Sequence, residues 1–217
     1  MRRLLVTMLV GFLGLMSSGY ALSLMATQPP EEMVRQNFAC PNKQLPVSSF
    51  QVLGRVKWQK GTIVLFRALC PTTKEEHPVM QRIFGYRLAQ RQGMHWQLNG
   101  KGSFGSITPF PEAKKLVEYG IGQPKHKARE PYTIVYGQTL TSKVVAVEAT
   151  FDNGKLINVS PQNGAFALLA PGASRICELR VIGTDNQILR RDDLTTDRRQ
   201  NKPKLWSHRC WQTTLQL

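Results

Sequence analysis

The chain has 217 residues and carries 29 lysines and arginines against 14 acids, a formal net charge of +15. That length suffices for one large or two small domains, with a core that needs no dense cross-linking. The basic excess draws a protein toward polyanions such as acidic polysaccharide, anionic head groups or nucleic acid; a basic surface without a dedicated partner is the plain alternative.

The amino terminus is read first. Arg2 and Arg3 precede an apolar run from Leu4 to Met16, and Ser17-Ser18-Gly19-Tyr20-Ala21 follows with no charge until Glu31. A charged start, a short apolar stretch and small residues predict a secretory signal peptide over 1–21, with the mature chain starting near Leu22. The run is shorter than the about 20 apolar residues a spanning helix needs, so no transmembrane span is expected after cleavage. An uncleaved anchor is the competing reading. The twin-arginine alternative fits the flanking residues poorly, and no cysteine near the cleavage site supports lipoprotein anchoring. Removing the leader takes Arg2 and Arg3 and no acid, leaving 196 residues and a charge of +13. Export, periplasmic or secreted, places the protein where thiols oxidise and free nucleotides are scarce.

Cys40, Cys70, Cys177 and Cys210 are an even set, which in an exported chain predicts two disulfides with three possible connectivities. The spacing favours Cys40–Cys70 and Cys177–Cys210, two loops of similar size. Each closure of about 30 residues is worth about 3.5 kcal/mol in the chain-entropy account. No close C-x-x-C pair exists, so zinc binding through cysteine is not expected.

Pro29-Pro30 before Glu31-Glu32 predicts a short helix running into Val34. From Phe50 the pattern turns to β: Phe50 to Trp58, a turn at Gln59-Lys60-Gly61, then Thr62 to Leu69, ended by Cys70-Pro71. Arg82 to Gln90 and Met94 to Leu98 flank Arg91-Gln92-Gly93 as a second hairpin. Four strands in meander order predict an antiparallel sheet with the helix on one face, a module over 37–108. Residues 99–131 are rich in glycine and proline and include the basic run Lys125 to Arg129. They are expected to form a surface loop and, over 109–131, a linker with a short helix or strand at Ala113 to Tyr119.

The last third, 132–217, predicts a small β-sandwich. Lys143 to Phe151 reads as a strand, Asp152-Asn153-Gly154 as a hairpin turn, and Leu156 to Val159 as its return. Asn163-Gly164 turns into Ala165 to Leu169, Pro171-Gly172 turns into Ile176 to Ile182, and Thr184-Asp185-Asn186 leads to Gln187-Ile188-Leu189. The pattern of Val147 to Gly154, Asn163-Gly164-Ala165-Phe166 and Pro171 through Leu189 resembles the immunoglobulin-like or fibronectin-like accessory sandwiches of exported bacterial proteins. This resemblance, over 143–190, implies a fold and no activity. Cys177 has no earlier cysteine partner in the sandwich, so the immunoglobulin core disulfide does not carry over. Overall the chain is expected to be mainly β.

Chemistry is sparse. Gly100-Lys101-Gly102-Ser103-Phe104-Gly105 matches G-x-G-x-x-G, but no helix pattern follows and Pro109-Phe110-Pro111 intervenes, so a glycine-rich loop is expected and no nucleotide cofactor. His77, His95, His126 and His208 sit in no paired ligand spacing; no metal is expected, and Glu75-Glu76-His77 reads as a solvated loop. Glu112, Glu118 and Glu148 lie in unrelated contexts. Asn158-Val159-Ser160 is a glycosylation sequon, meaningful only in a glycosylating host. The positive signal is basic residues near aromatics: Arg190, Arg191, Arg198, Arg199, Lys202, Lys204 and Arg209 around Trp206 and Trp211, a candidate polyanion or sugar contact. Lys114-Lys115 and Lys125 to Arg129 form a second cluster. Asp192, Asp193 and Asp197 dilute the tail, and terminal tryptophans also serve simply to pack a chain end. The expected function is non-enzymatic binding or scaffolding at the cell envelope, through a basic surface meeting an anionic polymer or protein, with no cofactor. A hydrolase of envelope polymers, working in a cleft between the modules, is the alternative.

Overall fold

The computed structural model describes residues 28–42, 45–59, 61–73, 79–93, 95–106, 115–124, 131–195 and 210. Helix α1 (Pro30–Gln36) starts with proline at its first turn and Glu31 and Glu32 beside the positive helix terminus, both favourable there. It is followed by β1 (Ser49–Trp58), β2 (Gly61–Pro71), β3 (Met80–Gln92) and β4 (His95–Ser106), joined antiparallel in the order β1-β2-β3-β4. This is the expected meander.

The remaining strands are β5 (Val117–Gly122), β6 (Tyr132–Thr139), β7 (Val144–Phe151), β8 (Leu156–Val159), β9 (Ala165–Pro171), β10 (Ile176–Gly183) and β11 (Ile188–Asp193). They form a central sheet, β5-β6-β9, and a third sheet, β11-β10-β7-β8. The Asn163-Gly164 turn has both residues left-handed (φ 50° and 73°), as a tight two-residue turn requires.

The central sheet is apolar on both faces, which explains why β6 and β9 read as nearly continuous hydrophobic runs. Val135, Phe166, Leu168 and Ala170 pack against Val147, Phe151, Leu179 and Val181 of the third sheet. On its other face Ile134, Tyr136, Ala165 and Ala167 meet Ile63, Leu65, Phe84, Tyr86 and Leu88 of the first sheet. Three layers of sheet therefore stack around two cores. The back of the first sheet is partly covered by α1, where fully buried Val34 lies on Val64 and Phe66, and by a ring cluster of Phe38, Phe50 and Phe66 with centroids 5.1–5.3 Å apart.

Both expected disulfides are present. Cys40–Cys70 ties the segment after α1 to the end of β2, and Cys177–Cys210 ties β10 to a residue of the C-terminal region. Among the described residues no helix is long and apolar enough to cross a membrane.

One expectation fails. Residues 99–106 are strand, not loop: β4 runs on through Gly100, Gly102 and Gly105; of the helix or strand expected at Ala113 to Tyr119, the described part is strand, within Val117–Gly122. The glycines are there for space. A Cβ on Gly100 would meet the Tyr132 hydroxyl at 2.6 Å, and one on Gly102 would lie 2.5 Å from the Tyr86 ring and 3.0 Å from the Tyr136 hydroxyl. On β5, Gly120 stands at the same hydroxyl and Gly122 at that of Tyr86. Three tyrosines fill the room that glycines leave at the rim of the two facing sheets, so a composition typical of loops is satisfied inside strands.

Candidate functional site

The strongest surface feature follows from register in the first sheet. Its four strands contain seven lysines and arginines and no aspartate or glutamate. Side chains alternate along a strand, and residues opposite one another across a ladder share a face. Val56, Trp58, Tyr86 and Leu88 point into the inter-sheet core, so Lys57 and Arg87 between them point out. The register pairs Arg55 with Val64, Val64 with Arg87 and Arg87 with Lys101, which makes one row across the outer face. Lys57 lies one step along β1 in the next row, and Arg91 stands opposite Trp96. Five cations and a tryptophan thus occupy the half of this face next to the patch that α1 covers.

Their electrostatics are lopsided. Arg55 is paired with Glu31 at 2.8 Å. Lys57, Arg91 and Lys101 are exposed, and among the described residues no carboxylate pairs with them or with Arg87. Arg87 is half-buried, and that burial pulls its guanidinium below the ordinary arginine range. Its direct cross-strand neighbour is Lys101, a like charge, which destabilises a sheet. A half-buried cation beside another cation, with no acid to offset either, is a local cost that an anionic ligand would remove.

Two of the sequence-predicted arginines, Arg190 and Arg191, sit elsewhere and are already paired. Arg190 and Arg191 lie on β11 of the third sheet. Arg190 holds Asp192 at 2.9 Å, and Asp192 also accepts a hydrogen bond from the Tyr119 hydroxyl at 2.9 Å. Arg191 pairs with Glu178, while Arg180 bridges Glu178 (3.0 Å) and Glu148 (3.1 Å). Burial alone would raise the Glu178 carboxyl; the hydrogen bonds and charges of Arg180 and Arg191 outweigh it and hold the group below its ordinary value. This is a neutral quartet on the outer side of the third sheet. Arg198, Arg199, Lys202, Lys204, Trp206, Arg209 and Trp211 lie outside the described residues, as do His77, His126, His208 and Glu112. His95 is exposed at the start of β4. Glu118 and Glu148 engage separate partners, Gln138 and Arg180, and among the described residues no group of three His, Cys, Asp or Glu is placed to hold a metal.

Lys57, Arg87, Arg91 and Lys101 were legible in part. Between Glu32 and Glu112 the only acids are Glu75 and Glu76, and the cations nearest the two hairpin turns share a parity on their strands (Arg55 and Lys57, Arg87 and Arg91). What the sequence lacks is the register that sets β4 beside β3. Comparison of the chain with family models, curated proteins and solved structures finds no match, so a functional reading rests on this geometry.

Proposed function

We propose that this protein is an exported binding protein of the cell envelope, and that the outer face of its first sheet holds an anionic envelope polymer. The observation that carries the reading is half-buried Arg87 standing opposite Lys101, flanked by Lys57, Arg91 and Trp96, with no carboxylate paired to these cations among the described residues. A polyanion supplies the missing charge, and the tryptophan gives a surface on which a sugar ring or acyl group packs beside the cations. The leader-like amino terminus and the two disulfides favour a compartment where that partner is a polysaccharide or glycolipid rather than nucleic acid.

The test compares two triple-charge losses. Lys57→Gln, Arg91→Gln and Lys101→Gln together should lower retention on immobilised heparin and flatten the plot of log affinity against log salt by about two, since each phosphate-like contact contributes about 0.7–0.9 to that slope. Arg198→Ser, Arg199→Ser and Lys202→Ser should leave both unchanged. If the second set abolishes retention and the first does not, the sheet face is not the contact.

A further inference from the structure

A second feature lies away from the basic face, at the end of the first sheet where β1 and β2 approach β6 and the β8–β9 turn. A cavity of about 420 Å³ is lined there by Gln51, Arg67, Gln138, Thr139, Asn163 and Gly164, a size ordinary for small-molecule pockets. Among the described residues its only charged lining residue is Arg67. The guanidinium donates to the Gln51 Oε1 at 2.7 Å, and among the described residues no carboxylate pairs with it, so most of its five N–H donors remain available.

The other polar groups are oriented by the fold. Buried Gln138 donates its Nε2 to Glu118 at 3.0 Å. Asn163, held left-handed at the turn, donates its Nδ2 to the Leu53 carbonyl at 3.0 Å. The Thr139 hydroxyl donates to the Gly164 carbonyl at 3.4 Å. Each side chain thus spends one donor on the protein, which fixes its orientation, while the Gln138 and Asn163 amide oxygens and the Thr139 lone pairs stay unused among the described residues. One guanidinium among several acceptors matches a single negative charge better than the two of phosphate or sulfate. It suits a molecule with one carboxylate and several hydroxyl donors. Arginine takes the carboxylate in its planar fork, and the acceptors take the hydroxyls.

A second cavity of about 420 Å³, the more open of the two, abuts the first across Thr139 and Gly164 and is lined by Leu140, Thr141, Ser142, Val144 and Pro161. Its described lining offers hydroxyls and apolar surface and no charge. Gly164, shared by both linings, carries no side chain to stand between them; a Cβ there would lie 3.5 Å from the Thr139 hydroxyl.

We infer that these two cavities form one groove for an acidic oligosaccharide, with a uronic acid unit at Arg67 and the adjoining neutral sugar over Thr141 and Ser142. The groove shares no residue with the basic face, so the inference stands whether or not that face binds polymer.

The experiment is calorimetric titration of the full-length protein with four probes: the disaccharide of glucuronate linked to N-acetylglucosamine, free D-glucuronate, D-glucose and sodium phosphate. Saturable binding of the disaccharide, at least 10-fold tighter than glucuronate, with no binding of glucose or phosphate in the same range, is expected. Arg67→Gln should weaken the disaccharide at least 10-fold, and Asn163→Gly, which keeps the left-handed turn, about 3–10-fold; the second variant serves if the first does not melt like the parent. Lys57→Gln with Arg91→Gln and Lys101→Gln should leave the disaccharide affinity unchanged while lowering heparin retention, which separates the two sites. Absence of disaccharide binding, phosphate binding as tight as the sugar acid, or unaltered affinity in both groove variants would overturn the inference.

Discussion

Arg87→Met should make the protein more stable and its polyanion contact weaker. Methionine keeps most of the apolar stem that arginine lays on the sheet and removes the charge. Arg87 and Lys101 are directly opposite in the β3–β4 register, which sets their Cβ atoms about 5 Å apart. Like charges about 6 Å apart at a solvated surface repel by about 0.7 kcal/mol, roughly halved by physiological salt; half-burial of the guanidinium adds a desolvation cost of its own. A group whose basic pKa is lowered on folding penalises the fold at every pH below that value, so the penalty is present throughout the working range. The gain from Arg87→Met is therefore about 0.5–1 kcal/mol, or a rise in Tm of about 1–3 °C for a chain this size. Urea unfolding of the parent, Arg87→Met, Lys101→Met and the double variant closes a cycle: at physiological salt the double variant should gain about 0.3–0.4 kcal/mol less than the sum of the singles, and that shortfall should shrink in 1 M salt. If Arg87→Met instead destabilises by 1 kcal/mol or more, the guanidinium is held by an attractive partner and the reasoning about this face fails.

Two further outcomes follow from the packing and the ion pairs. Gly102→Ala pushes a methyl against the Tyr86 ring and the Tyr136 hydroxyl, and should cost about 1–3 kcal/mol; a thermal melt within 1 °C of the parent would show that the rim has slack. The Glu178 carboxyl is held below its ordinary value, so its contribution is complete above about pH 4.5 and is lost as pH falls through its folded-state pKa. Unfolding free energy measured from pH 6 to 3 should fall less steeply in Glu178→Gln than in the parent, and parallel slopes would contradict this.

Legibility varied with the range of the interaction. The hairpins around Gln59–Gly61 and Gly93, the helix opened by Pro30, and the turn at Asn163-Gly164 depend on residues within a few positions of one another, and all four stand where their local chemistry puts them. Gly100, Gly102, Gly120 and Gly122 misled because glycine signals conformational freedom locally, whereas here it answers to tyrosines from β3 and β6. Arg191 looked like a free cation for a similar reason, since Glu178 comes alongside only when β10 and β11 pair; the partner of Arg190, Asp192, lies two residues on in β11 itself.

The amino-acid sequence by itself determined the mainly β character, the four-stranded meander with its short helix and the two disulfide pairs, since alternation, turn chemistry and loop closure are written in neighbouring residues. Which faces of those strands meet was decided only by tertiary structure. With the central sheet buried between two others, no described element other than α1 covers the outer side of the first sheet, and register then gathers Lys57, Arg87, Arg91 and Lys101 from three strands into one patch. Charge is additive along a chain, but its field depends on which residues the fold brings side by side.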